Sequence, residues 1–166
     1  MATVDNLKDA FAGESQANRR YLAFAEKADK EGYPQIAKLF RAAADAETVH
    51  AHAHLRAMKG IGNTLENLQT AIGGESYEYQ KMYPEFLEAA QAEKEQSAVR
   101  SFRNALAVEE THYKLYSQAL VTLKAGKDLP AASIHVCPVC GHTVVGDAPD
   151  RCPVCGAPGD DFSEVK

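Results

Sequence analysis

Two short patterns in this sequence put metal-ligand chemistry on helical spacing. Glu47-Thr-Val-His50 and Glu109-Glu-Thr-His112 each set a carboxylate and an imidazole three residues apart. On a helix that spacing puts both side chains on one face, about 60° apart, where they can close on one ion. Glu14 and Glu75 lack a following His, but Glu75 has Glu78 at the same spacing. A different chemistry lies near the C-terminus, where Cys137-Pro-Val-Cys140-Gly and Cys152-Pro-Val-Cys155-Gly are separated by eleven residues. Two such knuckles make a tetrahedral site of four thiolates, and the glycine after each lets backbone amides turn towards the sulfurs. The spacing alone admits zinc or a single iron. His135 and His142 flank the knuckles but read as loop residues, because four thiolates already complete the site.

The glutamates stand where periodicity asks for apolar side chains. The first inward stripe runs Leu7, Phe11, Glu14, Asn18, Tyr21, Ala25, Ala28. The second runs Ile36, Phe40, Ala43, Glu47, His50, His54, Met58. A later one runs Val99, Phe102, Leu106, Glu109, Tyr113, Tyr116, Leu120, with His112 flanking. Burying an unpaired carboxylate costs far more than packing returns, so these groups are paired or hold cations. One such Glu reads equally well as a solvated side chain on a misphased helix. Four of them, two with His at i+3, do not. One Glu from each of two helices and Glu-x-x-His from each of two more is the ligand set of ferritin-like bundles that hold two irons or two manganese ions. Mixed carboxylate and imidazole donors suit those metals better than a soft ion. Glu78 would be a fifth carboxylate, which gives a diferrous site and an oxo-bridged diferric site the same net charge and so lowers the cost of cycling in a low dielectric. With 18 Lys plus Arg against 23 Asp plus Glu, setting these five aside balances the chain. His52 is turned away from His50 and His54 lies a full turn beyond it, so both read as structural. Tyr21, Tyr83 and Tyr113 read as core residues or as hydrogen-bond donors to bound carboxylates.

The elements that must position these groups follow from composition and breakers. Residues 1–125 have no Cys, two prolines and a helix-forming content; the other five prolines and all four cysteines follow. The organisation expected is therefore a helical bundle over 1–125, a linker over 126–134 and a cysteine module over 135–166. Gly32-Tyr33-Pro34 and Gly60-Ile61-Gly62 separate the first helices. A short connecting helix is expected over 63–72, with Gly73-Gly74 preceding the third long helix and Pro84 kinking or stopping it near Tyr83. The fourth follows 93–96 and runs to about Leu123. Four long helices with a crossover between the second and third make a bundle. An internal repeat supports it: shifted by 62, Phe40-Arg41, Ala43, Glu47 and His50 fall on Phe102-Arg103, Ala105, Glu109 and His112, while Glu14 falls on Glu75 at a shift of 61. The 166 residues are 45 % apolar and 25 % charged, with net charge −5 and no basic run, which argues against nucleic acid or anionic membrane as partner. No stretch approaches the ~18 apolar residues of a spanning helix, and the polar start lacks a signal-peptide core, so the expected compartment is the cytoplasm.

Taken together, Glu14, Glu47-Thr-Val-His50, Glu75-Ser-Tyr-Glu78 with Tyr83-Pro, Glu109-Glu-Thr-His112 and the doubled Cys-Pro-Val-Cys-Gly resemble the rubrerythrins over essentially the whole chain. The resemblance implies a ferritin-like four-helix bundle followed by a small rubredoxin-like module of four cysteines, in a homodimeric non-haem di-iron peroxidase that reduces hydrogen peroxide to water. It implies two Fe in the carboxylate site and one Fe held by Cys137, Cys140, Cys152 and Cys155, with electrons arriving from an NAD(P)H-dependent reductase or a small rubredoxin. Such a redox site needs an electron supply, which iron in the thiolate site offers and zinc does not. The resemblance further implies that Glu47 and Glu109 bridge, that Glu14, His50 and Glu78 serve the first iron, and that Glu75 and His112 serve the second. The first iron would move between Glu78 and His50 during turnover, with Tyr21 and Tyr83 beside the ligands. The connection after the second helix and the roughly 30-residue module are shorter than the family pattern. Extended at ~3.3 Å per residue, the linker would project the module onto a partner's bundle, so electron transfer between subunits is expected. Ferroxidase or iron storage, and a zinc-ribbon module on a structural bundle, are the alternative readings.

Overall fold

The computed structural model describes residues 2–166 as two compact units, one ending at Gly62 and the other spanning Asn63–Lys166. The first is a helical hairpin of α1 (Thr3–Lys30) and α2 (Pro34–Ala57). The turn between them needs the left-handed backbone of Gly32, at φ +82°, and the Tyr33 N–H closes it on the Ala28 carbonyl at 2.9 Å. Pro34 then starts α2, where a missing N–H costs nothing. The α1 stripe is as periodicity expects: all seven positions from Leu7 to Ala28 are buried or half-buried. In α2 the buried line is instead Ala37, Ala44 and Ala51, and Ile36 and His50 are exposed. Alanine at a seven-residue interval lets α1 approach closely, and the larger side chains flank the seam. Asn18 locks the pair, donating from Nδ2 to the Ala44 carbonyl at 2.7 Å and to Thr48 Oγ1 at 2.8 Å.

The second unit begins with α3 (Thr64–Tyr77), started by a reciprocal cap in which Asn63 Oδ1 accepts the Glu66 N–H and Glu66 Oε2 accepts the Asn63 N–H. The expected break at Gly73-Gly74 is absent. Instead of a separate short helix over 63–72, one helical run passes through both glycines. Each costs only about 1 kcal/mol in a helix, less than the cap and the packing on the last helix supply. The irregularity comes later. Glu78–Met82 is a π-helical turn in which the Tyr83 N–H reaches back five residues to the Glu78 carbonyl, and α4 (Tyr83–Ala92) follows with Pro84 in its first turn. That is where Pro84 was expected to disturb the helix. A tight turn with Lys94 at φ +62° leads into α5 (Gln96–Lys124).

The cysteine module is a three-stranded antiparallel sheet in the order β2-β1-β3, with β1 at Ile134–Val136, β2 at Thr143–Val145 and β3 at Ser163–Glu164. Val136 pairs with Thr143, so β1 ends and β2 starts against the first knuckle. The module sits on α5 of its own chain. A Cβ on Gly141 would lie 3.8 Å from Val108 Cγ1, and Thr143 Oγ1 is 3.0 Å from His112 Nε2. After Gly126, at φ +72°, the linker leads to a module seated on α5 of the same chain. The buried Val108 and the polar His112 give the module an apolar and a hydrogen-bonded seat within reach. Among the described residues no helix is long and apolar enough to cross a membrane.

Candidate metal centre

Among the described residues three donor clusters emerge, and each lies within one unit. In the hairpin, Glu14 from α1 meets Glu47 and His50 from α2, their ligand atoms all within 4.8 Å of one another. His50 Nδ1 is 2.9 Å from Glu47 Oε2 and 4.0 Å from Glu14 Oε1. In the second unit Glu75 from α3 meets Glu109 and His112 from α5 in the same way, with His112 Nδ1 2.8 Å from Glu109 Oε2 and 3.8 Å from Glu75 Oε1. Both Glu-x-x-His pairs therefore close as helical spacing requires, and each imidazole turns Nδ1 towards the carboxylates.

The sequence repeat is a structural repeat. Tyr21, Phe24 and Phe40 form an aromatic trio with ring centroids 6.3, 6.2 and 5.6 Å apart. Sixty-two residues on, Tyr83, Phe86 and Phe102 reproduce those three distances. The trio recurs in the sequence at the shift of the repeat, a signal the motif reading passed over. The π turn explains why Glu14 and Glu75 are related by 61 and not 62. A π turn holds one extra residue, here inserted between Glu75 and Tyr83, so the acid falls out of register with the aromatics.

Electrostatics separate the carboxyls of the second unit. Burial, then the hydrogen bond and charge of Glu109, push the Glu75 carboxyl up to about 7. Glu78, on the π turn, lies outside the tight cluster. Burial and the Glu109 charge raise its carboxyl, and His112 opposes them. Burial, followed by the charges of Glu78, Glu109 and Glu75, raises the Tyr83 phenol. Tyr113 instead pairs with Tyr79, centroids 5.2 Å apart. His52 is exposed, and His54 contributes its carbonyl to the end of α2.

The four cysteines are free thiols gathered in one cluster, with Cys137 and Cys152 buried. Sγ–Sγ distances are 3.6 Å for Cys137–Cys155 and 3.5 Å for Cys140–Cys152. Four sulfurs at ~2.3 Å around one tetrahedral ion would be about 3.8 Å apart, so the cluster fits a metal with little movement. Gly141 and Gly156, at φ +85° and +77°, donate back to the Cys137 and Cys152 carbonyls at 2.9 Å, closing both knuckles. Burial acts to raise the Cys152 thiol, but N–H groups of Cys155 and Val154 and the neighbouring thiols bring it down to about 7. Burial raises Cys140. His135 lies in β1 and not in a loop as expected, and its Nδ1 bonds the Gly146 carbonyl at 2.8 Å. His142 is held below its usual range by burial and then by His112, and its Nδ1 is buried without a partner.

A mainly helical chain with paired Glu-x-x-His motifs and a four-thiolate module is the ferritin-like di-iron class with a rubredoxin-like domain. The family described as Rubrerythrin matches residues 5–120, and the one described as Rubrerythrin, rubredoxin-like domain matches 135–163. Rubrerythrin-2 of Clostridium acetobutylicum is 38 % identical over 174 residues, covering 96 % of this chain and 95 % of that protein. Nigerythrin of Nitratidesulfovibrio vulgaris is 35 % identical over 176 residues, covering 98 % and 86 %. A solved structure of partially reduced nigerythrin matches with TM-score 0.59 and 34 % identity, covering 99 % of this chain and 87 % of that one. The chain belongs to the rubrerythrin family. Its cofactors are those of the family, a di-iron site and a rubredoxin-like site of one iron on four thiolates, and it carries donor clusters suited to both.

Proposed function

We propose that this oxidoreductase is a non-haem di-iron peroxidase that reduces hydrogen peroxide to water, H2O2 + 2 H⁺ + 2 e⁻ → 2 H2O. One observation carries this reading. The thiolate module is hydrogen-bonded to an imidazole of the carboxylate cluster in the same chain, so an electron entry point and a site of chemistry adjoin. The proposed iron ligands are Glu14, Glu47 and His50 in the hairpin, Glu75, Glu78, Glu109 and His112 in the second unit, and the four cysteines. The proposed domains are 1–125 and 135–166, joined by 126–134. The second compact unit of the structure spans the proposed boundary at 126, because the module rests on α5.

When bound, the two irons supply Lewis acidity and the electron pair that breaks the O–O bond. The carboxylates hold the cations and keep their charge balanced inside the protein. Tyr83 keeps its proton at Oη, because burial and three nearby acids disfavour the phenolate, and can donate it towards an oxygen leaving near Glu78. Tyr21 occupies the equivalent place in the hairpin repeat. Electrons would come from an NAD(P)H-dependent reductase or a small rubredoxin, in a cytoplasmic homodimer.

The test has two arms, one anaerobic with peroxide as the oxidant and one with O2 in place of peroxide. Iron-loaded, reduced protein is mixed with one equivalent of H2O2 while loss of peroxide and oxidation of both iron sites are followed. Stoichiometric loss of peroxide supports the reading. Oxidation by O2 with no preference for peroxide would move the protein to the ferroxidase class instead.

A further inference from the structure

Thr143 belongs to no motif in the sequence, yet it is where the cysteine module touches the carboxylate cluster. Its Oγ1 is 3.0 Å from His112 Nε2 and 3.2 Å from the Gly141 carbonyl, to which it donates. A hydroxyl has one proton. With that proton committed to Gly141, the oxygen is left to accept, so the partner nitrogen of His112 must be the donor. The imidazole then carries a proton on Nε2, while Nδ1 faces the carboxylates, 2.8 Å from Glu109 Oε2 and 3.8 Å from Glu75 Oε1, a contact that needs a proton or a bound cation between nitrogen and oxygen. Gly141 follows Cys140 directly, and its N–H closes the knuckle on the Cys137 carbonyl with φ at +85°. The contact is therefore anchored in the thiolate loop itself. A ligand histidine usually has its second nitrogen fixed by an acceptor, which sets both its orientation and its basicity. Here the acceptor comes from a different module from the other ligands.

We propose that Thr143 is a positioning residue for His112: the hydroxyl of the cysteine module selects Nδ1 as the metal-binding nitrogen and makes the carboxylate site depend on the docked module. The consequence is a direct coupling. Anything that lifts the module from α5 releases the imidazole, and a metal pulling on Nδ1 strengthens Nε2–H as a donor and so strengthens the dock.

This rests on His112 being a ligand, and the experiment separates the two claims. Anaerobic Fe(II) titration of the full chain, its thiolate iron already in place, is compared for wild type, Thr143→Val and Thr143→Ser. Valine keeps the shape and removes the acceptor; serine keeps the acceptor. Thr143→Val is expected to bind iron in the carboxylate site 10- to 100-fold more weakly, with the thiolate absorption unchanged, and Thr143→Ser is expected to recover most of the loss. Equal affinity of Thr143→Val and wild type overturns the proposal, as does an equal loss in both variants, which would mean shape alone matters. A wild-type chain that takes up no iron beyond the thiolate site would instead sink the functional reading. A second measurement needs no variant. In the zinc-loaded wild-type chain, nitrogen spectra of ring-labelled histidine are expected to show His112 with metal on Nδ1 and an exchange-protected proton on Nε2. Metal on Nε2 overturns the proposal.

Discussion

Replacing Glu75 by Gln in the metal-free chain is expected to stabilise it at pH 8 and to change nothing at pH 4. In the folded chain burial and Glu109 hold the Glu75 carboxyl at about 7, against 4.5 as its ordinary value. Between these two values the folded chain binds a proton that the unfolded chain does not, so stability falls as pH rises from 4.5 to 7 and then levels off. Below 4.5 both states are protonated and no penalty exists. The displacement corresponds to roughly 3 kcal/mol at ~1.4 kcal/mol per unit. Water reaches the side chain, which is 18 % exposed, and screening reduces the expected penalty to about 1.5–2 kcal/mol. Gln removes the titrating proton while keeping the size. The assay is urea unfolding of reduced, chelator-treated protein at pH 4, 6 and 8, followed by helix circular dichroism. The difference between Gln and wild type should open between pH 5 and 7.5 and reach its full size at pH 8. Parallel stability curves across the range would refute the crowding of acids on which the electrostatic argument stands. Restoring iron should abolish the difference or reverse it, since the cation then favours the ionised acid that Gln lacks.

Glu78→Ala is expected to retain two irons in the carboxylate site and lose most peroxide turnover, read by iron analysis and stopped-flow peroxide consumption; full turnover would return Glu78 to a solvent role. Asn18→Ala should destabilise the hairpin by about 2 kcal/mol, since the buried side chain joins α1 to α2 through two hydrogen bonds, seen as a lower urea midpoint. Co-refolded Cys152→Ser and Glu109→Ala chains should stay inactive in the reductase-coupled assay. The module rests on its own α5, so the only intact module sits beside the damaged cluster, and recovered activity would show that electrons cross between chains.

The donor clusters were legible because side chains at helical and knuckle spacing obey local geometry. Glu47 and His50, and Glu109 and His112, come together through helix pitch alone, and Cys-x2-Cys knuckles close through their own turns. Those features need no tertiary information. The α1 stripe was readable for the same reason, whereas the α2 seam was not, because Ala37, Ala44 and Ala51 are marked by how closely another helix approaches and not by hydrophobicity. Gly73-Gly74 misled because a glycine pair states a local cost and not the balance of a whole helix. Thr143 left no trace at all: its role arises from a contact between residues 31 apart in sequence. The seat of the module on α5 was likewise invisible, since nine linker residues without strong preferences are steered by what they find to pack on.

The π turn at Glu78–Met82 has an evolutionary reading. Two hairpins with matching aromatic trios and matching Glu-x-x-His motifs are the mark of a duplicated ancestor, and a duplicated cage treats its two cations alike. One inserted residue ends that equivalence. It shifts Glu75 against Tyr83 and opens a position at Glu78 for an acid, where the first hairpin has Ala17 three residues after Glu14. A single codon's worth of backbone is thus enough to give the two halves of a repeat unlike sets of acids around matching Glu-x-x-His pairs. Division of labour between the metals would then have begun as a defect in a repeat.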